Sequence, residues 1–197
     1  MRYSEIIKEE LIEPSSEPNT MSFWHGGDLS DTSMRPQKKG RFEYGAGLYL
    51  ITRYDVAAKY AKGSRKLYKV DVRQGNDSTK SKLDADAAKK FVNTYVKVSN
   101  RREILQYIDD NIERVGALRA DTFNNIILNS GGIKSGDTVN LSNFMVSNDI
   151  DYEIITNPFG WGQAIMMVLY STNKIVAITR VMPKDKITQY DLPIGFN

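Results

Sequence analysis

The segment Glu43-Tyr44-Gly45-Ala46-Gly47-Leu48-Tyr49-Leu50-Ile51-Thr52-Arg53-Tyr54-Asp55-Val56-Ala57-Ala58-Lys59-Tyr60-Ala61 reads as a glycine hinge, a short apolar strand and a helix. Gly45 and Gly47 permit backbone angles that a side chain forbids, or let another molecule come close. Leu48 to Ile51 is an apolar run long enough only for a strand. Thr52 is placed as an N-cap, with Asp55 completing a capping-box pattern. In the helix that follows, Tyr54, Ala57, Ala58 and Ala61 share one face and Tyr60 sits at its edge. Tyr49 and Tyr60 are therefore expected to flank one cleft. Taken alone, two tyrosines beside a glycine loop are more often core and turn residues than a site. The dinucleotide fingerprint does not fit, because these glycines precede a strand and the third is missing. A phosphate loop is excluded by the lack of Gly-Lys-Ser/Thr.

With 197 residues, 41% hydrophobic and 26% charged, the composition is that of a soluble globular domain, with or without an appendage. No apolar run approaches the ~20 residues of a membrane span. The opening Met1-Arg2-Tyr3-Ser4-Glu5-Ile6-Ile7-Lys8-Glu9-Glu10 does not read as a signal peptide, since acids interrupt its apolar residues. The absence of cysteine excludes disulfides and thiolate metal sites and fits a cytoplasmic setting. A single histidine, His25, argues against zinc and two-histidine chemistry, so no metal is expected. A net charge of +3 permits a polyanionic partner without calling for one.

Along the chain, Ser4 to Ile12 is expected to be a short helix and Glu13 to Thr20 a linker, so that residues 1–20 precede a folded domain over 21–197. Met21 to His25 is the first strand, ending at Gly26-Gly27, and Asp28 to Lys39 a polar loop closing on Lys38-Lys39-Gly40-Arg41. Lys66 to Val72 is a strand with apolar residues at alternate positions. The middle is helical: Asp84 to Val98, Arg101 to Val115 capped by Asn100, and weaker candidates at Leu118 to Leu128 and Leu141 to Val146. Strands return at Tyr152 to Thr156, at the apolar run Ala164 to Tyr170, and at Ile175 to Val181, placed as the hairpin partner of that run. Strands at both ends with helices between them give an α+β domain.

Trp24-His25-Gly26, then Tyr44-Gly45-Ala46-Gly47-Leu48-Tyr49, then Tyr60 resembles the NAD-binding core of ADP-ribosyltransferases, most of all the branch containing diphtheria toxin and the poly(ADP-ribose) polymerases. That branch has a strand ending in histidine-glycine, a glycine-x-glycine-aliphatic-tyrosine strand, and a helix with a second tyrosine eleven residues on, the separation between Tyr49 and Tyr60. The likeness covers roughly residues 21–62 and 159–182 and leaves out the middle helices. It implies a split, mixed or antiparallel β-sheet core with inserted helices. It further implies that His25 contacts the adenosine ribose, that Gly26 offers its backbone to the nicotinamide carboxamide, and that Tyr49 and Tyr60 sandwich the nicotinamide ring. Gln163 falls where the family carries its catalytic glutamate, so His25, Tyr49 and Gln163 are the implied catalytic set. Arg41, with Lys38 and Lys39, is a candidate for the pyrophosphate or a nucleic-acid acceptor, against the simpler reading of a solvated basic loop. Trp161 occupies the loop that in many members reads the acceptor; the competing reading is a core plug.

Two departures qualify the resemblance. Ala57 replaces a serine that often contacts the carboxamide, and Gln163 holds a ribose hydroxyl without supplying negative charge. Glu153, one strand earlier, is the nearest alternative acid. The implied function is NAD-dependent mono-ADP-ribosyl transfer to a protein or nucleic-acid acceptor, with NAD as substrate. A NAD glycohydrolase and a catalytically silent NAD- or ADP-ribose-binding module stand beside it. A tRNA 2′-phosphotransferase is disfavoured by the lone histidine. Small size and lack of targeting would suit a monomeric, toxin-like bacterial or phage effector acting in the cytoplasm, its own or a host's, with no membrane partner.

Overall fold

A computed structural model of the chain describes residues 11–29, 44–62, 66–133, 137–160, 162–182 and 184–197. The fold is α+β, with mostly antiparallel strands numbered β1–β10 and helices numbered α1–α5 along the chain. No helix among the described residues is long and apolar enough to cross a membrane. Two compact units share the chain.

The first unit takes residues 11–29, 50–74 and 175–197. Its central strand is β2 (Thr20–Gly26), whose residues Thr20 to Trp24 are all buried. β2 runs antiparallel to β4 (Leu67–Arg73) in a register that sets Ser22 opposite Asp71, Trp24 opposite Lys69 and His25 opposite Tyr68. On its other side Trp24 faces Ile51, at the end of β3 (Leu48–Ile51). β9 (Ile175–Val181) pairs antiparallel with β4, with an irregularity between Asp71 and Val72. The expected hairpin of Ile175–Val181 with the preceding apolar run is therefore wrong. A tight turn licenses pairing of neighbours but does not require it, and the helical turn at Thr172–Lys174 sends the chain away instead.

In β4, where apolar residues alternate, the intervening Lys69 and Asp71 are buried as well. Burial of two charges is sustained by pairing. Lys69 Nζ donates to both Asp71 oxygens at 2.8 and 3.0 Å, and Ser22 Oγ donates to Asp71 Oδ1 at 2.6 Å. Ser22 Oγ also accepts from the Ser15 backbone N–H at 2.8 Å, tying the incoming chain to this knot. The expected N-terminal helix is corrected at its described end. Leu11–Ile12 is a strand, β1, pairing in parallel with β10 (Lys186–Ile187), and the rest of that expected helix lies outside the described residues.

Helix α1 (Tyr54–Ala61) buries Val56, Ala57 and Ala61. Its N-cap is Arg53, without a side-chain capping bond, rather than Thr52. Thr52 is buried and its carbonyl accepts from Leu192 N–H, while Asp55 is held by the Arg53 guanidinium at 2.7 and 2.9 Å. That pairing keeps the Asp55 carboxyl below its usual range.

The second unit takes residues 44–49 and 75–174. β7 (Tyr152–Thr156) and the fully buried β8 (Ile165–Leu169) pair antiparallel, Glu153 opposite Val168. The helices are α2 (Ala85–Tyr95), α3 (Val98–Val115), α4 (Ala120–Asn129) and α5 (Thr138–Ser147). They pack around Phe91, Ile104, Ile108, Phe123, Ile127, Leu141 and Met145, and a short ladder of β5 (Lys82–Leu83) with β6 (Leu118–Arg119) closes one side. Asp84 caps α2 by accepting from Ala87 N–H at 2.8 Å. Asn100 is not the cap of α3, which begins earlier with Lys97 as N-cap; the Asn100 amide donates to Ser130 O instead.

Gly26 and Gly47 are required by packing. A Cβ on Gly26 would lie 1.8 Å from the Ala57 carbonyl oxygen, and one on Gly47 would lie 2.7 Å from Val168 Cγ1 and 2.8 Å from Leu169 O. Gly26→Ala is expected to lower stability by about 1–3 kcal/mol or more, read from the urea midpoint, because backbone rather than a flexible side chain must yield. An unchanged midpoint would mean that α1 does not rest on the end of β2.

Candidate functional site

In the first unit the end of β2 presents His25, half-buried, immediately before the glycine that α1 covers. The His25 and Tyr68 rings are cross-strand neighbours with centroids 6.5 Å apart. Gly26 sits against the Ala57 carbonyl and Ala61 nitrogen, which brings the last turn of α1 onto the strand end. Tyr60, one residue before Ala61, is 67% exposed. Ala57 is buried in the same contact. The first unit thus gathers His25, Gly26 and the helix bearing Tyr60.

Tyr49 and Gln163 belong to the second unit. Tyr49 is half-buried against that unit's core, and its hydroxyl donates to Gly45 O at 2.7 Å while accepting from Tyr44 N–H at 3.3 Å. Gly45 has φ +91°, so the tight turn preceding the strand needs glycine there. Gln163 is exposed and stands ahead of β8, which begins at Ile165, so it is not in the ladder. Arg41, with Lys38 and Lys39, and Trp161 lie outside the described residues.

The second unit also holds a polar cluster in its interior. Glu153, 4% exposed, accepts at Oε2 from Asn124 Nδ2 at 2.8 Å and from the Tyr170 hydroxyl at 2.9 Å. The Asn124 amide also reaches Tyr170 Oη and Tyr44 O, each at 3.3 Å. Burial pushes the Glu153 carboxyl above its usual range, against the opposing pull of the Tyr170 and Asn124 hydrogen bonds. Burial beside Glu153 raises the Tyr170 phenol further still. Asn124 Oδ1 is buried and has no hydrogen-bond partner among the described residues. Glu153 was legible as an acid inside an apolar strand, whereas Asn124 and Tyr170 were not, since each reads as part of a helix face or the end of a strand. Chemically the cluster can hold a carboxylate away from water and transmit its charge through an amide.

No family model, curated protein or solved structure matches this chain.

Because burial holds the Glu153 pKa above its unfolded value, the folded state binds the extra proton between those two pH values, and stability falls as pH rises through that window. Glu153→Gln should flatten this decline. The check is the urea midpoint of both proteins from pH 4 to 8, and parallel curves would show that Glu153 titrates without such a penalty.

Proposed function

We propose that the protein binds NAD and cleaves its nicotinamide–ribose bond, transferring ADP-ribose to a macromolecular acceptor, as the resemblance to ADP-ribosyltransferases implies. The observation that carries the reading lies within the first unit: the helix bearing an exposed Tyr60 rests on Gly26, directly after His25 at the end of β2. The strand ending in histidine-glycine and the helix with the second tyrosine are the first and third elements of the resemblance, with the glycine-x-glycine-tyrosine strand between them in the chain. In the second unit the glycine turn leads into β3 with Tyr49 near its start, and Gln163 stands ahead of β8, an arrangement compatible with the split-sheet core of that family.

Bond cleavage of this kind passes through an oxocarbenium-like state, and the protein's part is to orient the nicotinamide ribose and stabilise developing positive charge. A ring face supplied by Tyr60 stacks on the nicotinamide. His25 donates or accepts at a ribose hydroxyl. Gln163 holds a hydroxyl through its amide but brings no negative charge, which supports a second reading, NAD binding without turnover.

The test is incubation with NAD labelled in its adenylate half, with and without lysate and RNA, following nicotinamide and labelled macromolecule together. Label in protein or nucleic acid is expected. Free ADP-ribose alone would make the protein a glycohydrolase, and binding without release a silent module. Tyr60→Ala should lower kcat/KM by roughly tenfold, the order of an aromatic contact plus its buried area, with stability held within about 0.5 kcal/mol because the ring is exposed.

A further inference from the structure

The Glu153 cluster does not end at the carboxylate. Asn124 sits between Glu153 and the turn that precedes β3, its Nδ2 directed at Glu153 Oε2 and Tyr44 O. Tyr44 N–H and Gly45 O are the two backbone groups that hold the Tyr49 hydroxyl. One continuous path therefore joins a buried acid to that tyrosine: carboxylate, carboxamide, turn, phenol. Every member lies in the second unit.

We infer that Glu153 is a positioning residue for Tyr49, fixing it through the Asn124 carboxamide and the Tyr44–Gly45 turn; as a statement about catalysis this rests on the NAD reading above. The arrangement fits the ionised acid. Two donors converge on a single oxygen, and a charged acceptor strengthens both bonds. No lysine or arginine among the described residues forms an ion pair with Glu153, so its charge is met by those donors. The groups facing the cluster are known from each side. Tyr170 follows β8, and Tyr49 on β3 acts electrostatically on its phenol. Asp121 opens α4, is paired with Arg119, and opposes ionisation of Glu153. Asp77, whose Oδ1 accepts from Ile154 N–H, adds a second negative charge beside Tyr170.

When Glu153 takes up a proton, its bond from Asn124 loses charge assistance and the amide is held less firmly. Asn124 Oδ1, buried with no hydrogen-bond partner among the described residues, gives that amide a reason to reorient, and reorientation removes the donor from Tyr44 O. The Tyr44–Gly45 turn and Tyr49 then loosen together. Misplacement of a substrate-facing ring by a fraction of an ångström to an ångström costs rate rather than binding alone, by roughly tenfold to a hundredfold.

The test uses the full chain with ring-labelled tyrosine, its NMR signals followed across pH, with Tyr49→Phe and Tyr170→Phe assigning the two resonances. The Tyr49 signal is expected to titrate with a midpoint above the ordinary carboxylate range, and to lose that step in Glu153→Gln. In Asn124→Ala the Tyr170 signal should still report Glu153 while the Tyr49 signal no longer follows, which keeps the inference testable if Glu153→Gln fails to fold. Nicotinamide release should show the same limb in kcat, absent in Glu153→Gln. A Tyr49 signal indifferent to pH in the unmodified protein, or still titrating in both variants, would overturn the coupling even if NAD is cleaved. A coupled signal with no NAD cleavage at any pH would remove the enzymatic reading and leave the coupling standing.

Discussion

The contact on which the first unit depends is the one made possible by a missing atom. At the end of β2 the backbone of α1 comes so near that position 26 has no room for a β-carbon. Dispersion and apolar burial reward such an approach, and only glycine allows it. With the helix seated there, Val56, Ala57 and Ala61 leave water and Tyr60 is left on the outer side. The half-buried His25 owes its setting to the same contact, since the strand residue before Gly26 is fixed by pairing with Tyr68 on one neighbour while the helix fixes the next residue. A site assembled this way inherits its rigidity from packing rather than from a loop.

Gly45 and Gly47 were expected to mark either backbone angles that a side chain forbids or places where another molecule comes close, and Gly26 the latter. Gly45 has the positive φ of the first alternative, whereas Gly26 and Gly47 mark places where the chain approaches itself. The two meanings are not exclusive, because a backbone exposed for want of a side chain can face a ligand on one side and a helix on the other. They do show why a glycine pattern alone carries little chemical information. The spacing of Tyr49 and Tyr60 around a strand and a helix says more, because both elements are present where the aromatic and apolar runs put them.

Element type was legible where side-chain periodicity was strong. β3 and β7 fall at the boundaries that their apolar runs imply, and the helix expected over Asp84 to Val98 is present as α2, shorter at its end and capped by Asp84. What local pattern cannot encode is the choice of partner. β9 pairs with β4 rather than with β8, and Lys69 and Asp71 are buried as a pair because Ser22 and the strands beside them complete their hydrogen bonds. Both facts depend on residues far away in sequence. The Thr52 cap failed for a similar reason: Arg53 lies beside Asp55 and the Thr52 carbonyl is engaged by Leu192, a tertiary contact that overrides the local motif. In the site, Glu153 stood out as an acid in an apolar run, but its meaning comes from Asn124 and Tyr170, which only the fold brings to it.

The two ends of the first unit are sewn together. Asn19 N–H meets Asn197 O, Asn197 N–H meets Thr20 O, and β1 lies along β10. The strand β9 that completes the β4 edge also comes from residues after 174. Seen from the ribosome, this unit is interrupted: β2 and β4 emerge long before β9 and Asn197. All of the second unit's residues, by contrast, are available before Ile175 is made. Long-range closures of this kind are slow and leave unpaired strand edges exposed while they wait. The second unit's residues are thus all made before the first unit can close, and the part of the chain that carries His25 and Tyr60 waits for its partner strand β9 from residues that follow the whole second unit.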